Sequence, residues 1–355
     1  MVVLDIQKVD NTAKLDARTP FDLVKLSFGV VAGAGALVAL VVAYRRQRVD
    51  EAGAHREATR LHTERFSQAV DKLGPESPAV RLGGVHALAG LADDAPDDSL
   101  RQTCIDVLCA YLQLPFLPDP GGADEEGHHR YLALRKVRHT ILHLIAAHYR
   151  RPQGTHRSLQ GHDLDLTGVT MDAEISFTGA VFSEGSVDFS GAVFSDGAVD
   201  FTGALFSGCY VYFLGASFTG SQVGFRGAVF SGGRVDFSLA LFSSGHLTFA
   251  NAAFSGSSVH FSRAAFSEST LAVNGATFSS GTVTFNSAAF SDGVLDFSGA
   301  AFSGSDVDFS SASFSDMAVI CGSATGSAPY GLLTAVGNPI PGAVTVPSAW
   351  TLPDP

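Results

Sequence analysis

The chain has 355 residues, 46% of them hydrophobic and 16% charged, with a formal net charge of −12, which excludes disorder throughout and leaves room for two or three domains. Twenty-seven phenylalanines and 38 glycines beside a single tryptophan are the composition of a reiterated motif rather than of a mixed globular core. The charge is uneven: residues 1–158 hold 20 basic and 19 acidic side chains, residues 159–321 hold 3 and 15, so the C-terminal half has no Lys/Arg cluster to displace counterions from phosphates and direct nucleic-acid binding is not expected.

In chain order, residues 1–25 read as a disordered tail. Residues 26–44, LSFGVVAGAGALVALVVAY, carry no charge, and at ~1.5 Å per residue they span a hydrocarbon core of roughly 30 Å. This predicts one transmembrane helix. The late position and the lack of a small-residue cleavage site argue against a signal peptide. Arg45, Arg46 and Arg48 follow the span directly, with Arg56 and Arg60 behind them, against Arg18 and Lys25 close before it and Lys8 and Lys14 further out in the tail. The excess places the C-terminal bulk in the cytoplasm. Cys104, Cys109, Cys209 and Cys321 form no CxxC pair, which fits reduced thiols in that compartment.

Residues 45–152 read as a small HEAT-like helical module. Residues 45–74 contain no proline and place Leu61, Phe66, Ala69, Val70 and Leu73 near helical spacing, so the membrane helix is expected to continue to Gly74, with Gly53 its weakest point. Pro78, after Ser77, opens a second helix with Val80, Leu82, Val85, Leu88 and Leu91 on one stripe. A third helix is expected over residues 99–112 and a fourth over 129–149. In the fourth, His139 and His143 are four apart, near His128, His129 and His148. Such a pair can ligate a metal, but no HExxH glutamate or cysteine accompanies it, and Arg135, Lys136 and Arg138 place positive charge beside it. The expectation is solvated or capping histidines, with no metal and no cofactor.

From residue 177 to residue 320 the chain divides into twelve units of twelve residues, for example FSGAVFSDGAVD from Phe189 and FSGAAFSGSDVD from Phe297. Position 1 is phenylalanine in eleven units, with Val273 the exception; position 4 is always alanine, position 6 always phenylalanine, and position 11 valine or leucine. Each phenylalanine has a smaller apolar residue two positions earlier, Val187 before Phe189 and Ala192 before Phe194. On these residues the chain resembles the pentapeptide-repeat proteins, with phenylalanine in place of the central leucine and every second pentapeptide extended by two residues. The resemblance implies a right-handed quadrilateral β-helix over residues 159–326.

A five-plus-seven unit supplies two adjacent sides of the square, so two units, 24 residues, should complete a coil. A coil of twelve residues would hardly hold two phenylalanines, a valine and an alanine at interior density. The extra residues at positions 7–10 should bulge at opposite corners, with Cys209 exposed on one of them. Position 12 then forms two exposed columns: Asp188, Tyr212, Asp236, His260, Thr284 and Asp308, and Asp200, Gly224, Thr248, Ala272, Asp296 and Ile320. The first, with Tyr210 beside it, is the candidate partner-binding column: Asp188, Tyr210, Tyr212, Asp236, His260 and Asp308. The start of the solenoid is expected near Leu164, capped by the helical module. Residues 327–355, rich in proline, read as a loosely packed tail after a partial final coil.

No Gly-rich phosphate loop, GxSxG elbow or Ser/His/Asp set is present in the sequence, so catalysis is not expected. The whole order of anchor, helices and phenylalanine-rich repeats looks like the membrane-anchored pentapeptide-repeat proteins of bacteria. The resemblance implies a single-pass membrane protein whose solenoid acts as a protein-binding scaffold, with oligomerisation possible. An alternative, also implied by the resemblance, is a DNA-mimic-like modulator of DNA gyrase, motivated by the acidic repeat region.

Overall fold

Absence of proline and charge over residues 26–44 lets a helix run uninterrupted, and in the computed structural model it extends in both directions: α1 covers Arg18–Asp71, with Pro20 tolerated in its first turn and no break at Gly53. The structure describes residues 18–151, 155, 157–172, 174–195, 197–337 and 341–351. Residues 1–17, most of the expected tail, lie outside them, whereas residues 18–25 are helical. The chain forms two units, residues 1–61 and 62–355. In the first, the apolar side chains of α1, Leu26, Phe28, Val31, Leu37 and Leu40 among them, are all exposed. The helix is long and apolar enough to cross a membrane.

The second unit begins with the last turns of α1, where Ala69 is buried and Phe66, Val70 and Leu73 pack on the core. Helices α2 (Pro78–Asp93), α3 (Asp98–Gln113) and α4 (Glu125–Tyr149) follow. Their starts are written in the local chemistry. Pro78 opens α2; Asp97 accepts a hydrogen bond from the Leu100 amide at 2.9 Å, and Asp124 from the Gly127 amide at 2.9 Å. Val85 and Leu88 of α2, Ile105 and Leu108 of α3, and Val137 and Ile141 of α4 close the module's core.

Beyond the helices, short parallel strands stack into a β-solenoid of about seven turns. The register is 24 residues: Val187 pairs with Val211, Val211 with Val235, Val235 with Val259, and Val259 with Val283. Two units therefore make a coil. Sheets of ten, eight and seven strands run along the solenoid, the first wrapping a corner through eight-residue strands such as Leu205–Tyr212. At ~4.8 Å per step, the six steps from the Leu164 strand to the Val307 strand span about 29 Å.

The interior explains the invariant positions. Phenylalanines at position 6 stack directly over one another, Phe206 on Phe230 at 4.8 Å and 4° and Phe254 on Phe278 at 4.7 Å and 0°, and those at position 1 form parallel ladders, Phe213 on Phe237 at 4.6 Å. Ring stacking at the strand spacing satisfies both the backbone ladder and aromatic packing. Position 4 is alanine because its amide closes a turn onto the preceding phenylalanine carbonyl, Ala204 to Phe201 at 3.0 Å, with no room inside for a larger group. Position 3 in these turns is left-handed. Glycine satisfies this without strain at Gly203, while Leu239 and Arg263 adopt φ of 62° and 58° there.

The two extended corners are not equivalent. One is carried by the continuous eight-residue strands with register shifts, a bulge. The other turns through a left-handed residue at position 8: Gly220, Ser244, Glu268, Asp292 and Asp316. At both corners side chains at position 9 are buried, against expectation: Cys209, 2% exposed, and Ser257 at one and Ser221 and Ser269 at the other, while Ser305 stays partly exposed and donates to the Ser280 carbonyl. Burial pushes the Cys209 thiol up to about 12. Position 9 also alternates from coil to coil, Gly185, Cys209, Gly233, Ser257, Gly281 at one corner and Ser221, Gly245, Ser269, Gly293 at the other. A Cβ on Gly233 would collide with the Cys209 carbonyl, and one on Gly281 with that of Ser257. The true period is thus two coils.

Both ends are covered. α3 and α4 pack on the first coil, where Tyr149 stacks on Phe182. At the other end the segment expected to be a loose tail is ordered around the core: Tyr330 bridges Asp308, α5 (Leu332–Val336) buries Leu332 and Val336, and Val344–Thr345 pairs with Val319–Ile320. Trp350 meets Phe302 edge-on at 5.9 Å and donates to the Gly326 carbonyl at 2.8 Å. Proline ends strands but does not prevent capping.

Candidate partner-binding face

Position 12 follows directly on the inward residue at position 11, so it faces outward one residue along the strand, and the 24-residue register brings alternate units into one file. Asp188 pairs with Tyr212, Tyr212 with Asp236, Asp236 with His260, His260 with Thr284, and Thr284 with Asp308. Tyr210, at position 10, lies in the parallel file with Arg234. All six candidate residues therefore share one side of the solenoid, over about 24 Å along its axis. The second column, from Asp200 to Ile320, is likewise in register on the other acidic side.

The face is not uniformly exposed as expected. Tyr210 is half-exposed, Asp188, Tyr212, His260 and Asp308 are intermediate, and Asp236 is 6% exposed. In the second column Ala272 is buried too. The Tyr210 and Tyr212 rings lie nearly parallel with centroids 6.3 Å apart, forming an aromatic shelf on the outer wall. One coil further, Arg234 reaches along its own strand to Asp236 through Nε at 3.1 Å and Nη2 at 2.6 Å, while the Ser238 amide donates to the other carboxylate oxygen at 2.9 Å.

These contacts set the charge. Burial pushes the Asp236 carboxyl up, but the Ser238 and Arg234 hydrogen bonds outweigh it and hold the group below its ordinary range. Burial, with the nearby Arg234 guanidinium, lowers His260, which is therefore neutral at pH 7. At neutral pH the file reads acid, tyrosine, neutralised acid, histidine, threonine, acid. Its far end, at Asp308, opens on a cleft of about 550 Å3 lined by Ser305, Asp306, Pro329 and the exposed Tyr330. The array offers hydrogen-bonding groups and aromatic surface along one side of the solenoid.

Of the histidines in α4, His129 and His143 are exposed, as expected, whereas His139 and His148 are engaged with carboxylates of other elements. His139 contacts Asp172 of the first coil through Nε2 at 2.8 Å, and Arg135 donates to the same carboxylate at 2.6 Å. His148, almost wholly buried, contacts Asp93 of α2 at 2.9 Å and the Leu144 carbonyl at 2.6 Å. Asp172 was not singled out by sequence reasoning, because its partners lie more than thirty positions away. Among the described residues no group of three His, Cys, Asp or Glu side chains has the arrangement of a metal site.

No family model matches the chain, and no curated protein resembles it closely enough to report.

Proposed function

We propose that this chain is a membrane-anchored pentapeptide-repeat protein, held by the apolar stretch of α1 with its solenoid in the cytoplasm, which binds a protein partner and performs no catalysis. The observation that carries the reading is the register-aligned file from Asp188 to Asp308 with the Tyr210 and Tyr212 shelf beside it. Solenoids present such faces because each coil repeats the same outward position. The covered ends agree with a rod of defined length that offers its sides to a partner. Arg45, Arg46 and Arg48 support the cytoplasmic orientation.

The gyrase-directed alternative rests on the 15 acidic against 3 basic side chains of residues 159–321. A DNA-like surface needs regularly spaced uncompensated charge, whereas the candidate column holds acids at only three of its six positions and Arg234 neutralises one. The scaffold reading is preferred.

A photo-reactive phenylalanine analogue at Tyr212, and separately at Thr248 on the second column, tests this in cells that make the protein at native level. A discrete adduct from position 212 that is absent from position 248 is the expected result. Equal adducts from both positions, or none from either, would remove the column as a partner face.

A further inference from the structure

The helical module holds a buried arginine, Arg138 of α4, 6% exposed, whose guanidinium has no hydrogen-bond or ion-pair partner among the described residues. Its one specific contact is the Phe116 ring, 4.7 Å away. The carboxylate whose field it feels, Asp172, is already engaged by Arg135 and His139. A cation over an aromatic face recovers only part of what withdrawing an ion from water costs. The guanidinium donors are therefore left for a group in the adjoining cleft to meet.

The space for one is present. Arg138 lines a cleft of about 260 Å3. Arg81 of α2 lines the same cleft and donates to the Tyr111 hydroxyl of α3 at 3.3 Å and to the Pro75 carbonyl at 2.7 Å. Two guanidinium groups and a phenol thus border it from three helices, while Leu114, Phe116 and Leu134 supply apolar walls. A guanidinium presents paired donors that match the two oxygens of a carboxylate or phosphate. The cleft is below the roughly 300–1,000 Å3 of sites that enclose drug-sized ligands, so it suits an anionic head on a body no larger than one ring or a short chain.

We propose that this cleft binds a small organic anion, a carboxylate or phosphate monoester on an apolar body, with Arg138 as the principal counter-charge and Arg81 and Tyr111 as further donors. The site is independent of the partner-binding face.

Calorimetric titration of the full chain in detergent with benzoate and with phenyl phosphate tests it, with benzamide as the neutral shape control and inorganic phosphate as the head group alone. At least one of the two aromatic anions is expected to bind saturably while benzamide does not, and the tighter of the two identifies the head group. Arg138→Met, which removes the buried charge and keeps the volume, should lower the affinity roughly tenfold or more and leave the melting temperature unchanged or higher. If that variant does not fold, Arg81→Gln, altered at the partly exposed rim, must still weaken anion binding. Absence of binding by both aromatic anions, or equal affinity in the folded Arg138→Met protein, would overturn the proposal. Inorganic phosphate binding as tightly as phenyl phosphate would overturn the role of the apolar walls.

Discussion

Tyr149, the last residue of α4, stacks on Phe182 with ring centroids 5.0 Å apart and an interplanar angle of 29°, and so continues into the helical module the aromatic ladder that the solenoid builds from Phe182 to Phe302. Its hydroxyl donates to the His162 carbonyl at 3.2 Å, inside a fully buried setting that raises its ionisation well above the ordinary tyrosine range. The first coil's exposed ring face is thereby closed by a residue from outside the repeats.

Tyr149→Ala is expected to cost about 3–5 kcal/mol, the loss typical of a buried ring replaced by a methyl group. Tyr149→Phe should cost only about 1 kcal/mol, the hydroxyl's hydrogen bond. Urea unfolding of the two variants separates these. Similar losses in both would mean that the hydroxyl, and not the ring stack, closes the coil.

Asp172 should make the joint between helices and solenoid pH-dependent. Burial raises this carboxyl, but hydrogen bonds and charge from His139 and Arg135 outweigh it and hold it far below the ordinary carboxylate value. A depressed folded-state value means stabilisation that is complete above the unfolded value of ~3.9 and lost as pH falls through the folded value. Asp172→Asn should therefore lower stability at pH 7 by about 1–3 kcal/mol, with the gap to wild type closing in strong acid. Melting curves at pH 7, 4 and 2 check the sign. A gap that widens in acid would contradict it.

Position 9 makes opposite predictions in adjacent coils. Gly233→Ala meets the Cys209 carbonyl and a backbone φ of 74°, and should cost about 2–4 kcal/mol from left-handed strain plus overpacking. Ser257, one coil on, has a buried hydroxyl with no hydrogen-bond partner, so Ser257→Ala should be neutral or stabilising. Thermal melts of both variants decide it. A destabilised Ser257→Ala protein would imply a partner for that hydroxyl.

All four cysteines are buried, and burial pushes Cys104 up to about 11 and Cys109, Cys209 and Cys321 up to about 12. Because the thiolate is the reactive form, the folded protein should resist maleimide at pH 7.5 and react fully in urea. A Ser207→Cys variant, at an exposed position of the same corner, should label in the folded state. In intact cells that variant also reports the side of the membrane: labelling only after permeabilisation is expected of a cytoplasmic solenoid.

Much of this architecture was legible because each repeat carries its own instructions. Positions 1, 4, 6 and 11 mark the inward residues in every unit, and the volume of two phenylalanines, a valine and an alanine selects the 24-residue coil that the register of Val187 on Val211 exhibits. The column from Asp188 to Asp308 followed from the same period. What the period did not reveal was the inward turn of position 9. Turn-forming residues at positions 7–10 are equally compatible with a bulge pointing out or in, and only the packing of one coil on the next distinguishes Cys209 buried from Cys209 exposed. The order of residues 327–337 and 341–351, against the expected loose tail of 327–355, is hidden from the sequence for a related reason: proline reports what a strand cannot do, and says nothing of whether Trp350 finds Phe302.

The amino-acid sequence by itself determined the uncharged span in α1, the helix start at Pro78 and the two-unit coil, because these depend on local propensity and on a volume that repeats, whereas α4, expected from residue 129, starts four residues earlier at Glu125 behind its Asp124 cap. Only the tertiary structure decided the Asp172 clamp, the close approach of coils that requires glycine at alternate position-9 sites, and the burial of Arg138 without a hydrogen-bond partner. Each of those depends on the distance between groups far apart in the chain, and burial and electrostatics act through distance in space rather than separation in sequence.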